Sequence, residues 1–135
     1  MIKHEIQMRV RYAETDKMGY VYYGNYAAYF EMGRVELLRS LGISYRSLED
    51  SGIILPVRDF SIRYIKPAYY DDLLTLETRL TELPERRIHF EYTLYNGAKD
   101  VLCRAETTLV FVNSATNRPS PPPANVLNAM KKAWR

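Results

Sequence analysis

One carboxylate stands out for its surroundings. Asp16 lies in the run Asp16-Lys17-Met18-Gly19-Tyr20-Val21-Tyr22-Tyr23-Gly24-Asn25-Tyr26, between a strand-like segment and the strongest helix pattern of the chain. A carboxylate there can sit beside the unpaired backbone N–H groups of a helix start. A base or nucleophile next to oxyanion-stabilising donors is the minimum equipment for hydrolysing an ester or thioester. The ordinary role of an Asp before a helix is a turn residue or an N-cap. Two features weigh against that role alone. The helical pattern begins near Gly24, too far away for Asp16 to cap it. Residues 20–23 are apolar and aromatic, unlike a solvated loop, and such a setting would desolvate the carboxylate and make it more reactive.

Tyr23, Gly24 and Asn25 fall in the first turn of the predicted helix. Backbone N–H groups there have no intrahelical acceptor, and the helix dipole adds partial positive charge. Gly24 would let a substrate carbonyl approach closely, and Tyr23 or Asn25 could orient it. Asn25 could equally serve as the helix cap. Glu31 lies more than a turn further on, at about 1.5 Å per residue, and reads as structural, anchoring the loop or pairing with an arginine. His89 falls on the polar face of its strand and His4 near a strand end, with no second ligand near either. Cys103 alternates with core positions and reads as a buried small hydrophobe. Arg86 and Arg87 form a basic pair at a strand start. They suit either a solvated hairpin end or contacts to phosphates. The chain has no Gly-x-Ser-x-Gly elbow, so a classical serine hydrolase route is unsupported.

These residues need a scaffold, and the periodicities supply one. Residues 2–12 alternate, with Ile2, Ile6, Met8, Val10 and Tyr12 on one face and Lys3, Glu5, Gln7, Arg9 and Arg11 on the other. That is a half-buried strand. Residues 24–41 switch to helical spacing, with Tyr26, Tyr29, Phe30, Gly33, Leu37 and Leu41 on one stripe. An aromatic stripe suits a broad partner such as a sheet, and Gly33 would permit close approach to it. Gly42 suits a C-cap, and Ser44 opens a short second helix through Leu48. Period-two patterns then cover residues 60–64, 74–80, 88–94 and 101–111, and Asn96-Gly97 joins the last two as a hairpin. A proline-rich connector, residues 119–123, leads to a short helix over 124–134. Strand, long helix, then four antiparallel strands make an α+β domain of about five strands over residues 1–135, with the helix in the concave face of a curled sheet.

Composition bounds the function. The 135 residues carry 19 Lys and Arg against 16 Asp and Glu, a mild +3 that suits an anionic ligand without demanding nucleic acid. Twelve tyrosines suit clefts and interfaces. One cysteine excludes an internal disulfide and fits a reducing compartment. With no run near the ~18–20 apolar residues of a membrane span and no apolar leader, a cytoplasmic location and no membrane partner are expected. No metal-ligand cluster or phosphate-cradling loop is evident, and no cofactor is expected.

The run Val10-Arg11-Tyr12-Ala13-Glu14-Thr15-Asp16-Lys17-Met18-Gly19-Tyr20-Val21-Tyr22-Tyr23-Gly24-Asn25-Tyr26, continuing to Tyr29-Phe30-Glu31 and Arg34, resembles the 4-hydroxybenzoyl-CoA thioesterase branch of the hotdog-fold acyl-CoA thioesterases. Tyr64-Ile65-Lys66-Pro67-Ala68-Tyr69-Tyr70-Asp71-Asp72-Leu73 is similar to that family's turn into the next strand. The resemblance implies a hotdog fold and hydrolysis of acyl-CoA to free acid and CoA. It implies Asp16 as nucleophile or general base, and the N–H near Tyr23 as oxyanion donor. Many members carry His where this chain has Tyr23, so any role of that His is lost here. It further implies edge-to-edge homodimers, often paired into tetramers, with sites across the interface. Arg86 and Arg87 become candidates for the CoA phosphates. Hydrolysis of acyl-carrier-protein thioesters, and a non-catalytic acyl-CoA-binding domain, are the competing readings. The carboxylate at Asp16 argues against the second. A dehydratase of this fold would want a catalytic His, which this region lacks.

Overall fold

A computed structural model describes residues 1–135. Strand β1 (Ile2–Arg9) is followed by helix α1 (Tyr26–Ser40), helix α2 (Tyr45–Asp50) and the two-residue strand β2 (Ile53–Ile54). Then come β3 (Val57–Tyr64), β4 (Leu73–Leu80), β5 (Arg87–Tyr95), β6 (Val101–Val110), the two-residue strands β7 (Val112–Asn113) and β8 (Arg118–Pro119), and helix α3 (Ala124–Ala133). The main sheet is fully antiparallel in the order β1-β4-β5-β6-β3. This is the hotdog arrangement, a curled sheet around one long helix.

The alternation in the sequence maps onto the two sheet faces. Along β4, Leu74, Leu76, Thr78 and Leu80 are buried against the helix side. On β5, Ile88, Phe90, Tyr92 and Leu94 do the same. Each fully buried Leu, Ile or Phe contributes about 1.5–3 kcal/mol of transfer free energy. Helix α1 supplies Tyr26, Tyr29, Phe30, Leu37 and Leu38 to the same core. Phe30 lies 4.7 Å from Tyr92 on β5 and 5.9 Å from Phe60 on β3, centroid to centroid. Gly33 is where helix and sheet touch most closely. A Cβ there would come within 2.5 Å of Thr78 Oγ1 and 2.7 Å of Leu76 Cδ2, so the close approach expected of this glycine is present.

Element ends differ from the periodicity in informative ways. Strand β1 stops at Arg9, short of residue 12, because Val10 turns its N–H to the Asp72 carbonyl and residues 12–14 form a 3₁₀ turn. Helix α1 begins at Tyr26, preceded by a 3₁₀ turn over Tyr23–Asn25. Ser44 caps α2 by accepting from Ser47 N–H at 3.0 Å, and α2 runs two residues past Leu48. The hairpin between β5 and β6 forms, but its left-handed residue is Lys99 (φ 67°) rather than Gly97. Asn96 explains this: its Oδ1 accepts from both Ala98 and Asp100 N–H, which builds a longer loop. The small sheet β2-β7-β8 has no counterpart in the sequence reading. No helix is long and apolar enough to cross a membrane.

Strand β3 is an edge of the main sheet and exposes Val57, Phe60 and Tyr64, each between 43% and 48% accessible. A long edge with apolar side chains is a ready template for pairing with another chain.

Candidate active site

The loop carrying Asp16 is built from backbone pairings at both ends. Thr15 and Val21 form an antiparallel bridge, as do Tyr20 and Tyr69. Val21 N–H donates to the Ala68 carbonyl at 2.8 Å. Between them Asp16 and Gly19 close a tight turn, Gly19 N–H to Asp16 O at 3.0 Å, with Gly19 at φ +84°. Only glycine takes that conformation without strain. The Asp16 side chain joins the turn: Oδ1 accepts from Met18 N–H at 2.9 Å. Oδ2 has no protein partner and remains available for chemistry. Asp16 is half-buried, less desolvated in the single chain than its aromatic neighbours suggest. Tyr22 and Tyr23 explain the difference, because both side chains are themselves exposed to solvent.

Asp16 opens into a cavity of about 380 Å³ lined also by Met18, Tyr20, Val21, Tyr23, Tyr26, Tyr64, Ile65, Lys66 and Pro67. Tyr23 thus shares a cavity with Asp16. The 3₁₀ turn it opens has its first internal bond from Asn25 N–H to Tyr22 O at 2.9 Å. The N–H groups of Tyr23 and Gly24 therefore have no acceptor within the turn. The Tyr64 hydroxyl donates to the Tyr23 carbonyl at 3.3 Å and steadies it from β3. Gly24 also lies close beneath the exposed Tyr22 ring. A Cβ there would meet the Tyr22 ring at 2.8 Å.

Asn25 donates its side-chain amide to the Glu14 carbonyl at 2.8 Å and makes no cap bond, so it ties the turn to the Asp16 loop. Glu14 is the hub of this loop, and the sequence reading missed it. Its Oε1 accepts from Arg11 N–H at 2.8 Å and from the Tyr29 hydroxyl at 2.9 Å, and its Oε2 meets Arg11 Nη2 at 3.1 Å. Its backbone carbonyl takes Tyr22 N–H. Burial by itself raises the Glu14 carboxyl, but the hydrogen bonds from Arg11 and Tyr29 outweigh it and hold the group below the ordinary Glu range. The anchoring role expected of Glu31 belongs to Glu14. Glu31 is exposed and makes no ion pair. The Arg11-x-x-Glu14 spacing was the one visible signal of this hub.

The remaining candidates fall elsewhere. Cys103 is fully buried, and burial pushes its thiol up to about 12, which leaves it un-ionised and unreactive. His89 bonds Thr108 Oγ1 at 2.9 Å on the sheet's outer face. Arg86 and Arg87 are not brought to Asp16 within one chain. From the Leu73 end of β4, nearest the Asp16 loop, six residues lead to Arg79, which faces Glu91, and four more along β5 in the same direction lead to Arg87. At about 3.3 Å per residue that is roughly 30 Å. The basic group that does line the Asp16 cavity is Lys66, which pairs with Asp100 at 3.4 Å.

A curled antiparallel sheet around one long helix, with a carboxylate and Tyr23 of the helix start in one cavity, defines a thioesterase-like hotdog protein. The chain belongs to the thioesterase-like superfamily, whose model matches residues 10–130. It is an enzyme of the thioester hydrolase class. Among its relatives is the putative acyl-CoA thioesterase YneP of Bacillus subtilis, 34% identical over 113 residues, 84% of this chain and 82% of that one. The acyl-CoA thioester hydrolase YbgC of Escherichia coli is 30% identical over 125 residues, 93% of each chain. The crystal structure of a DHNA-CoA thioesterase from Staphylococcus aureus superposes with a TM-score of 0.93 at 32% identity, covering 98% of this chain and 91% of that one.

Proposed function

We propose that this protein hydrolyses acyl-CoA thioesters to free acid and CoA, with Asp16 as the reactive carboxylate. The observation that carries the reading is the shared cavity: Asp16 with a free Oδ2, and Tyr23, whose N–H opens the helix start. The ionised carboxylate either attacks the thioester carbonyl or takes a proton from the attacking water. The first course gives a mixed anhydride and expels CoA thiolate, and water then cleaves the anhydride. In both courses negative charge builds on the carbonyl oxygen. The N–H groups of Tyr23 and Gly24 and the N-terminal dipole of α1 are the donors suited to receive it. Asn25 keeps those donors in place through its bond to the Glu14 carbonyl. The names of YneP and YbgC support CoA as the carrier.

The reading includes a homodimer formed along β3, with pairing into a tetramer as its further step. Two copies joined antiparallel at this edge place the Val57 end of one beside the Tyr64 end of the other. The start of β5 lies at the Val57 end, because Arg87 pairs with Val110 and Leu109 pairs with Val57. Arg86 and Arg87 of a second copy would then approach the cavity that Tyr64 and Lys66 line, where the CoA phosphates need cations. The roughly 30 Å separation within one chain is thereby replaced by about three strand spacings of ~4.8 Å.

The test is thiol release from aromatic, short and long acyl-CoAs by wild type and Asp16→Asn, with the matching acyl-carrier-protein thioesters alongside. A loss above ~100-fold in the folded variant is expected. Equal rates for the two proteins would refute the role of Asp16, and turnover of the carrier-protein thioesters alone would refute CoA as the carrier.

A further inference from the structure

A second cavity, of about 450 Å³, runs along α1 from Gly24 past Ala27 and Phe30 to Arg34, with Phe60 and Thr107 on the sheet side. It begins at Gly24 and its walls are mainly apolar. Its far end is not. Arg34 is only 6% accessible, and its Nε donates to the Tyr45 hydroxyl at 3.1 Å. The Thr107 hydroxyl, on the same cavity, pairs with the Tyr92 hydroxyl at 2.7 Å. No carboxylate lies within 4.0 Å of Arg34, although every ion pair elsewhere in the chain joins Arg or Lys to Asp or Glu. Glu31 lines the mouth of this cavity, one turn earlier, and stays exposed. Arg34 is therefore a buried cation held by neutral phenols, in a setting where burial of a charge is costly without a counter-ion.

Resting on the acyl-CoA reading above, we infer that this cavity holds the acyl group and that Arg34 binds a carboxylate at the far end of it. The substrate class is then a carboxyacyl-CoA, the mono-thioester of a dicarboxylic acid. The length follows from the helix. Arg34 lies ten residues beyond Gly24, about 15 Å at 1.5 Å per residue, and a helical side chain leans back toward the N-terminus. That leaves about 8–10 Å between the thioester carbonyl and the guanidinium. At about 1.2 Å of advance per bond in an extended chain, the span takes about six to eight bonds. Arg34 acts as a specificity residue. It binds the distal group and takes no part in bond cleavage.

The test measures binding, so that turnover does not confound it. CoA ketone analogues, with a methylene between sulfur and carbonyl, cannot be hydrolysed. Two of about six acyl carbons, one ending in carboxylate and one in methyl, are titrated into the intact protein by calorimetry. Wild type is expected to favour the carboxylate analogue by about tenfold or more, as charge-assisted hydrogen bonds do. Arg34→Gln should erase the preference while retaining the methyl analogue, and Tyr45→Phe, which removes only the phenol, should keep it. Glu31→Gln should leave the preference intact or enlarge it. Equal affinity of wild type for the two analogues, or an unchanged preference in Arg34→Gln, would overturn the inference. The wild-type comparison decides even if Arg34→Gln does not fold. Hydrolysis of neutral acyl-CoA without any carboxylate preference defeats this inference alone, whereas failure to bind either analogue defeats it together with the acyl-CoA reading.

Discussion

Replacing Glu14 with Ala tests how the Asp16 loop is held. The substitution removes the acceptor of the Tyr29 hydroxyl and of Arg11 N–H, together with the partner of the Arg11 guanidinium. These losses are unequal. The Arg11 side chain is 79% accessible, so its ion pair is worth at most about 1 kcal/mol, and its N–H can turn to water. Tyr29 is 1% accessible, and its hydroxyl would be left buried and unpaired, at a cost of about 1–3 kcal/mol. The expected loss is about 2 kcal/mol, mostly from Tyr29. Urea unfolding at fixed protein concentration measures it, and the matching drop in Tm is about 6–8 °C at this chain length. Glu14→Gln keeps an acceptor and should lose about 1 kcal/mol or less. In a double-mutant cycle with Tyr29→Phe, the coupling should be about 1–2 kcal/mol. A Glu14→Ala protein within about 0.5 kcal/mol of wild type, or a cycle without coupling, would refute Glu14 as the anchor.

Gly33→Ala should destabilise by about 1–2 kcal/mol in the same assay. The new methyl would lie 2.5 Å from Thr78 Oγ1 and 2.7 Å from Leu76 Cδ2, and that overpacking exceeds the gain in helix propensity. An unchanged midpoint would contradict the close contact of α1 with β4. The Glu14 carboxyl is held below its unfolded value, so its contribution is fully present above that value and is lost as pH falls through the lower folded value. Stability of wild type should therefore fall more steeply below about pH 4 than that of Glu14→Gln. Parallel curves would remove Glu14 from the acid transition. Phe60→Lys on the β3 edge should convert the assembled protein to monomer in light scattering and lower thiol release with it. An active monomer would contradict a site shared across that edge.

Much of the scaffold is legible in the chain because burial there has a clean period. Leu74, Leu76 and Leu80 on β4, and Tyr26, Tyr29 and Phe30 on α1, declare their faces by spacing alone. The two-residue strands β2, β7 and β8 do not, since two residues carry no period and their pairing links Ile53 to Asn113 across the chain. The candidate site is legible only in part. Asp16, Tyr23 and Gly24 are marked by an aromatic turn before a helix. Glu14 is not, because its main partner, Tyr29, lies fifteen residues away on the helix. The distance of Arg86 and Arg87 from Asp16 is equally hidden. It follows from strand register, which fixes which end of β5 faces which end of β4. Arg34 looks like one polar residue of an amphipathic helix until the fold buries it without a carboxylate.

In the proposed reaction the Asp16 carboxylate performs the chemistry while the cavity binds the substrate. Single-turnover hydrolysis at saturating acyl-CoA, measured beside the Kd for the same ligand, separates the two roles in Asp16→Asn. The isosteric amide can still accept the Met18 N–H that Oδ1 accepts in the wild type. A rate lower by more than ~100-fold is expected, with a Kd within about threefold of wild type. A single-turnover rate within about tenfold of wild type, with binding intact, would contradict it.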